Sequence, residues 1–578
     1  MRDKDPKEVD NPGFVANDEV FLHDEKVANG ASDVKGDGEV TKIPMTKKKL
    51  VVVICILVTE MCERLTYYSV VANIVLYGTS VLKFTSTDAA NIANIFTGVV
   101  YLMPVIGGVI SDAWAGKFRT IIACALIYVL GLVLLPLSAF GYSSVFGESE
   151  DGSYYDISVD TRRSLFLSSL VFIAMGTGGI KANVGPFGAQ QLEEQGEAAI
   201  KSFFNWFYWF INVGSLIAYS AVAYIQQNIS FGWGFVVPLV SMILAIILFL
   251  IARPFYVEKP PGGSVLSMSM AVIWQVMTGK KHQVPQGEKR RIFDKARVKY
   301  GGSFDDATVE SVKSVLRVLP VFLTVIMYWA IYSQMTTTFI FQGERMDVSV
   351  GDVKIPASGL NAFNTIIIIV LIPIVDRLLY PCMERIGRPL SHLQRIGIGF
   401  ILAAMSVVVA GIVEIVRKDR MEEPGGSMIQ ELGGEKFNAS TISVFIQVPE
   451  YALVGASEVF ASICGLEFAY TQAPKSMQGV LTGLFMVTSG LGGFLATGIL
   501  NAVKAATKDY PWFDDEINNV HVEYYFFLLG GLMFVDFLVF LVIAKFYRYR
   551  DTQYDEVLEV TVHAKTHDNH VDDASTNF

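Results

Sequence analysis

Glu60, Glu63, Arg64, Tyr67 and Tyr68 are spaced i, i+3, i+4, i+7 and i+8 within an otherwise apolar run. A helix of about 3.6 residues per turn puts all five on one stripe. Each ionised group near a bilayer centre costs about 2.5–3.5 kcal/mol on insertion scales, so a stripe holding three must face a protein interior or a watery cavity. Carboxylates beside an arginine can exchange a proton, because an acid that loses its cationic neighbour and is desolvated holds its proton more tightly. Lys181, in GTGGIKANVGPFGAQQ, and Glu458, in GASEVFASICGLEF, are candidate partners from two other apolar runs. A cavity lined by acids and bases from opposite halves of the chain would suit a solute bearing both charges. A buried ion-pair network that only holds helices together is the competing reading. His23, His282, His392, His521, His563, His567 and His570 fall in tails, loops or helix ends, so proton binding is expected to rest on carboxylates.

The elements that position these residues follow from composition. Of 578 residues, 52% are hydrophobic and 18% charged, and the mean hydropathy is +0.43, too apolar for a soluble protein. Twelve stretches are long and apolar enough to span a bilayer, at about 50–80, 91–111, 119–140, 164–187, 202–225, 231–252, 313–341, 357–380, 391–416, 441–472, 477–503 and 522–547. The predicted class is therefore an all-α membrane protein with both termini on one side. Lys47 to Lys49, Lys117 and Arg119, Lys280 and Lys281, Lys289 to Arg291, and Arg377, Arg385, Arg388 and Arg395 fall on that side, which predicts that it is cytosolic. Glu148, Glu150, Asp151, Asp156, Glu422, Glu423 and Asp514 to Glu516 fall on the other, with Asn438-Ala-Ser440 as a candidate glycosylation acceptor.

Residues 1–48 are polar and acidic and lack the pattern of a cleavable signal, so they are expected to form a disordered cytosolic tail, as is 548–578. A formal net charge of −10 leaves no basic surface for nucleic acid. Cys55, Cys62, Cys124 and Cys464 sit inside apolar runs and Cys382 at the end of one, so neither a disulfide pair nor a CxxC metal site is expected. Gly176, Gly178, Gly179 and Gly185 lie in a span without a Walker pattern and read as helix packing, not a nucleotide site. No enzymatic chemistry, metal or cofactor is expected, only protons as coupling ion.

Residues 49–254 and 313–547 read as two six-span bundles joined by a basic, partly amphipathic linker, 255–312. The halves echo each other. GGVISDAWAGKFR follows the second span, with Asp112, Gly116, Lys117 and Arg119, and VDRLLYPCMERIGRP the eighth, with Asp376, Arg377, Gly387 and Arg388. Acid and bases at matching points suit an inner-face charge clamp. FFNWFYWFINVGS, residues 203–215, carries Asn205 and Asn212 seven apart on one helical face, where they could meet a solute, although most of its rings read as packing. Trp329, Gln334 and Asn361 are weaker single signals.

EMCERLTYY, residues 60–68, resembles the ExxER-plus-YY motif of proton-dependent oligopeptide transporters, within the major facilitator superfamily. GTGGIKANVGPFGAQQ and FFNWFYWFINVGS resemble the two signature patterns of that family, and IGRPLSHLQRIGIG and GLEFAYTQAPKSMQG are similar to its peptide/histidine branch. The resemblance covers residues 47–550. It implies a two-bundle, alternating-access fold with a central peptide site. It also implies proton coupling by Glu60 and Glu63 with Arg64, Lys181 and Arg64 near the substrate carboxylate, and Glu458 for the substrate amine. By position, Tyr67, Tyr68, Asn212, Trp329 and Asn361 would line the same cavity. One departure stands out. Many bacterial members pair an arginine after the two tyrosines with a seventh-span acid in an outer gate, and here those places hold Val71 and Ser333.

The expected activity is thus proton-coupled symport of di- and tripeptides, with free histidine as a further substrate. The alternatives are a carrier of another solute, nitrate or an organic anion, and a membrane scaffold whose linker or tails recruit a cytosolic adaptor. Glu458 argues for a substrate amine. Tyr554-Asp-Glu-Val557 fits a tyrosine-plus-hydrophobic sorting signal, so an endosomal or lysosomal membrane is favoured over the plasma membrane. Thr576-Asn-Phe578 has the form of a PDZ ligand but reads more simply as a solvated chain end.

Overall fold

A chain in hydrocarbon must satisfy its backbone polar groups within each crossing segment, and long helices do so. The computed structural model describes residues 46–142, 156–261, 263, 265–278, 292–472, 474 and 477–549. Residues 1–45 and 550–578, with the candidate tail signals, lie outside these residues, as do Glu148, Glu150, Asp151, Lys280, Lys281 and Lys289 to Arg291.

Among the described residues, eleven helical segments are long and apolar enough to cross a membrane. Lys47–Val71 (α1) is the twelfth crossing, its hydropathy lowered by Glu60, Glu63 and Arg64. It starts at Thr46, whose hydroxyl accepts from the Lys49 amide at 3.3 Å. It breaks at Ala72–Asn73 before a short continuation, Ile74–Ser80 (α2), so the first span is two pieces and not one. The N-terminal bundle continues through Ser86–Ile110 (α3), Lys117–Ala139 (α4), Val159–Gln190 (α5), Glu197–Ile217 (α6) and Phe231–Ile251 (α7). Two π-helical turns, Ala218–Val222 and Ile225–Ile229, extend α6.

The linker contains an amphipathic helix, Val265–Thr278 (α8), that buries Ser269, Val272 and Val276 and exposes Met270, Trp274 and Met277. The seventh crossing is helical from Asp306, inside the stretch assigned to the linker, because the Asp305 carboxylate caps it by accepting from the Thr308 amide at 3.2 Å. It comprises Asp306–Tyr332 (α9) and, after a 3-10 turn, Thr338–Glu344 (α10). Asn361–Ile374 (α11), Tyr380–Arg385 (α12), His392–Glu422 (α13), Val448–Glu458 (α14), Cys464–Gln472 (α15), Gln478–Ala506 (α16) and Val522–Phe546 (α17) complete the C-terminal bundle. Two antiparallel hairpins cap the face opposite the termini: Ser349–Val350 with Val353–Lys354, and Ser427–Leu432 with Glu435–Ser440, in which Ser427 faces Ser440. Asn438 is exposed on the second hairpin.

The echo between halves is structural. Asp112 is the second residue of a π-helical turn, Ser111–Ala115, and Asp376 the second residue of another, Val375–Leu379, each at the end of the corresponding span. The clamp expected from Asp112, Lys117 and Arg119 is not closed, however. Asp112 and Arg119 are exposed, and among the described residues no ion pair joins Asp112 to either base. Gly116, at φ +76°, turns the chain between the acid and the bases, and the bases border a cleft at the terminal face instead.

The bundles meet closely on the face away from the termini, called here the far face. α3 lies against α16 through glycines: a Cβ on Gly490 would stand 2.7 Å from the Gly98 carbonyl oxygen, and one on Gly493 2.6 Å from that of Asn94. Ser86 donates its amide to the Asp515 carboxylate at 3.0 Å, and Lys504 donates to the Thr87 hydroxyl at 2.9 Å. Gly490→Val forces a side chain into this crossing. It is expected to cost about 1–3 kcal/mol, the usual range for overpacking, visible as a lower thermal midpoint in detergent; an unchanged midpoint would show that α3 and α16 are not in contact in the dominant state.

Candidate functional site

The charged stripe of α1 is internal. Glu60, Glu63, Arg64 and Tyr67 are all buried. The Arg64 Nε lies 2.9 Å from Glu60 Oε1 and its Nη2 2.6 Å from Glu63 Oε2, so one guanidinium holds two carboxylates. α6 comes close enough to cover the cluster because Gly214 has no side chain; a Cβ there would stand 2.6 Å from the Met61 carbonyl and 3.2 Å from Arg64 Cβ. Lys181 on α5 supplies the second cation. Its Nζ stands 4.0 Å from the Tyr67 ring centre and 4.1 Å from that of Tyr101, and it has no hydrogen-bond partner among the described residues. Two acids and two basic residues thus meet in one buried cluster, with the lysine seated between two aromatic faces.

Beside the cluster, between the two bundles, lies a cavity of about 130 Å³. Tyr67, Tyr68, Tyr101, Tyr208, Asn212 and Tyr219 form its N-terminal wall, and Trp329, Tyr332, Asn361, Asn364 and Glu458 its C-terminal wall. Glu458 ends α14 directly before a π-helical turn, Val459–Ile463. Its carboxylate accepts from Asn364 Nδ2 at 3.5 Å, and no cation pairs with it among the described residues. Gly455 makes room for Asn364, since a Cβ there would lie 2.6 Å from the Asn364 Oδ1. Trp329 is fixed by donation from Nε1 to the Thr488 hydroxyl at 3.1 Å. Asn361 donates to the Ser358 carbonyl at 3.0 Å, and Asn212 to the Tyr208 carbonyl at 2.9 Å, so each amide nitrogen is already engaged.

Of the residues singled out from sequence, Tyr67, Tyr68, Asn212, Trp329, Asn361 and Glu458 line this one cavity. Arg64 and Lys181 do not reach its wall in this conformation. The carboxylates hold Arg64 back, and the rings of Tyr67 and Tyr101 stand between Lys181 and the space. Val71 and Ser333 both line the cavity, without the ion pair found there in many bacterial members. Sequence reasoning missed Tyr101, Tyr219, Tyr332 and Asn364. Tyr332 follows Trp329, and Asn364 follows Asn361, by three residues, the spacing of one helical face; that periodicity was available as a signal.

A second buried charge network lies apart from the cavity, towards the far face. Arg417 is fully buried and grips Glu414 with two bonds, Nη2 to Oε1 at 2.6 Å and Nε to Oε2 at 3.0 Å, while Gln342 donates to the same carboxylate at 3.0 Å. It is self-satisfied, as a structural ion pair should be.

Among known sequences and structures, the POT family model (PTR2) matches residues 118–514. Protein NRT1/PTR FAMILY 8.1 of Arabidopsis thaliana is 35% identical over 86% of this chain and 93% of its own length. Solute carrier family 15 member 3 of Mus musculus is 31% identical over 86% and 92%. Among solved structures, an auto-inhibited POT family peptide transporter superposes with a TM-score of 0.71 at 25% identity, covering 86% of this chain and 98% of that one. The POT family transporter PepTSo gives 0.70 at 24%, covering 88% and 100%.

Removing the guanidinium would leave two carboxylates packed in one site. Arg64→Ala is expected to destabilise the protein by about 3–5 kcal/mol, the cost of breaking a buried pair, and Arg64→Ala combined with Glu60→Gln and Glu63→Gln to recover part of it. Thermal unfolding of wild type and these two variants in detergent checks this; equal midpoints for Arg64→Ala and wild type would mean that the cluster is solvated.

Proposed function

The chain belongs to the POT family of transporters, and from that premise we propose that it is a proton-coupled symporter of di- and tripeptides that also accepts histidine. The single observation that carries this reading is the asymmetry of the cavity walls. The N-terminal wall is backed by two basic residues, Arg64 and Lys181, with Glu60 and Glu63 paired to Arg64, and the C-terminal wall presents Glu458 without a cation among the described residues. A solute with an ammonium group at one end and a carboxylate at the other completes both: its amine pairs with Glu458, and its carboxylate draws on Arg64 and Lys181. Arg64 cannot serve the solute and hold both acids at once. A proton on Glu63 or Glu60 releases it, which makes protonation and substrate binding mutually favourable.

Carriage of another solute, nitrate or an organic anion, is the second reading. Its support is the 35% identity to a plant NRT1/PTR relative against 31% to the mouse solute carrier. A plain anion would use the basic pair and leave Glu458 as an unpaired acid beside it, so the acid favours the zwitterion. We further place the terminal face in the cytosol, since Lys47 to Lys49, Lys117, Arg119, Arg385, Arg388 and Arg395 lie there. Transport from the lumen of an endosome or lysosome into the cytosol fits an acidic compartment; the plasma membrane is the alternative.

The test is uptake of labelled dipeptide and of histidine into proteoliposomes, with and without an inward proton gradient. Wild type is expected to accumulate both only with the gradient. Glu63→Gln should lose the gradient dependence, and Glu458→Gln should weaken uptake of amine-bearing substrates by about tenfold or more, as loss of a charged hydrogen bond predicts. Folded protein that moves neither solute under any gradient, or a Glu458→Gln variant indistinguishable from wild type, would overturn the reading in favour of another solute.

A further inference from the structure

The far-face closure above the cavity runs through three fully buried, uncharged side chains. Asn73 occupies the break between α1 and α2, at φ −128° and ψ 19°, where its amide points sideways from the helix axis. Its Nδ2 donates to Gln226 Oε1 at 2.7 Å, and its Oδ1 accepts from the Ser358 hydroxyl at 3.2 Å. Gln226 in turn donates to the Ser69 carbonyl at 2.9 Å, which fixes its amide relative to α1. The glutamine stem is seated against Gly234 of α7, where a Cβ would stand 2.2 Å from its Cγ. Gln226 and Asn73 belong to the N-terminal bundle and Ser358 to the C-terminal one. The Ser358–Asn73 bond therefore crosses between bundles, directly above Val71 and Asn361 of the cavity lining. Asn228, donating to the Lys354 carbonyl at 3.1 Å, makes a second neutral bond across the same seam.

We propose that Asn73, Gln226 and Ser358 form an uncharged latch that holds the far face shut, so that the closure itself neither takes up nor gives up a proton. Asn73 and Ser358 are positioning residues in this scheme; neither needs to touch the solute. The segments that carry the latch are free of carboxylates, lysines, arginines and histidines: residues 69–74, the π-turn Ile225–Ile229, the start of α7 at Phe231–Phe235, and the 3-10 turn Ala357–Leu360. α10, which packs on that 3-10 turn where Gly343 meets Ala357, ends at the buried Glu344, whose carboxylate lies 3.6 Å from the Arg345 guanidinium. Tyr219 belongs to the neighbouring π-turn, and Arg64 lies nine residues down α1, about 13 Å by helical rise. The Lys354 ammonium points away, donating to the Glu431 carbonyl at 2.9 Å. Proton coupling is thereby left to groups outside the latch, the α1 cluster in the reading above.

The latch rests on alternating access, but its test needs no substrate, so its failure is separable from failure of the peptide reading. The reporter is Thr336→Cys, a cavity-lining position, in a Cys382→Ser background, in vesicles of uniform orientation. Its rate of modification by an impermeant maleimide on the far side measures how often that face opens. Ser358→Ala is expected to raise the rate about two- to tenfold, the net worth of one buried neutral hydrogen bond, and Ser358→Thr to restore it. The ratio of Ser358→Ala to wild type should be the same at acidic and neutral pH. Asn73→Asp, nearly isosteric, should make its own ratio to wild type climb as pH rises through the carboxylate range, because it puts a titrating group into a latch that has none. A wild-type labelling rate in folded Ser358→Ala, or an Asn73→Asp ratio that is flat with pH, would overturn the proposal.

Discussion

Three ionisable side chains within five residues of a membrane helix, Glu60, Glu63 and Arg64, admit only a central position for that helix. Much of the N-terminal bundle follows from that constraint. α1 must be covered by α6 and α7, and a second cation must be delivered because one arginine cannot neutralise two carboxylates. Lys181 comes from α5, which has to lie deep between α3 and α4 to place it. The glycines of GTGGIK make that depth attainable: a Cβ on Gly178 would stand 2.4 Å from Met103 Cβ on α3, and one on Gly176 2.6 Å from Tyr128 Cβ on α4. Small residues at helix crossings let backbones approach in lipid, where no hydrophobic force pulls helices together. The glycine-rich sequence around Lys181 is thus a packing device in the service of a charge.

Two of the buried acids in the C-terminal bundle, Glu414 and Glu458, obey opposite logic. Glu414 and Arg417 satisfy each other in a two-bond pair and have Gln342 and Asn518 to complete them. Nothing is left for a ligand, and the pair ties α13 to α10 and to the loop that carries Asp515. Glu458 has neutral neighbours only, on a cavity wall, with Asn364 as a distant donor. A buried carboxylate without a cation is expensive; Glu450, also fully buried, is met by Gln447 away from the cavity, whereas Glu458 borders open space. The difference between Glu414 and Glu458 lies in their partners, since both sit in apolar spans.

Periodicity made the helices and the α1 stripe legible, because bilayer thickness and the 3.6-residue repeat constrain every span in the same way. Glu60, Glu63, Arg64 and Glu458 could be singled out on charge, and Tyr67 on its helical spacing from Glu60. Three kinds of feature were hidden. The break at Ala72–Asn73 carries no proline or glycine, so the run reads as one span. The cavity tyrosines Tyr101 and Tyr219 look like any aromatic residue in an apolar helix, and only the meeting of two bundles gives them a shared surface. The contacts of the inner-face charges could not be read either: among the described residues no ion pair joins Asp112 to Lys117 or Arg119, and Gly116 with its positive φ turns the chain between them.

The π-helical turns bear on how such a fold can move. Five occur among the described residues: two close the matching spans at Asp112 and Asp376, two lead α6 into the far-face seam, and one comes directly after Glu458. A π-turn inserts one residue into a helix, rotates the C-terminal segment relative to the N-terminal one, and weakens the local hydrogen-bond ladder. Within a membrane this is tolerable only where neighbouring side chains or a cavity take up the loosened backbone groups. In α14 the turn separates Glu458 from the segment running on to α15, so that rotation on one side need not be transmitted to the other. The charged stripe of α1 and Glu458 thus lie on regular α-helix, and the loosened hydrogen-bond ladder begins just beyond Glu458.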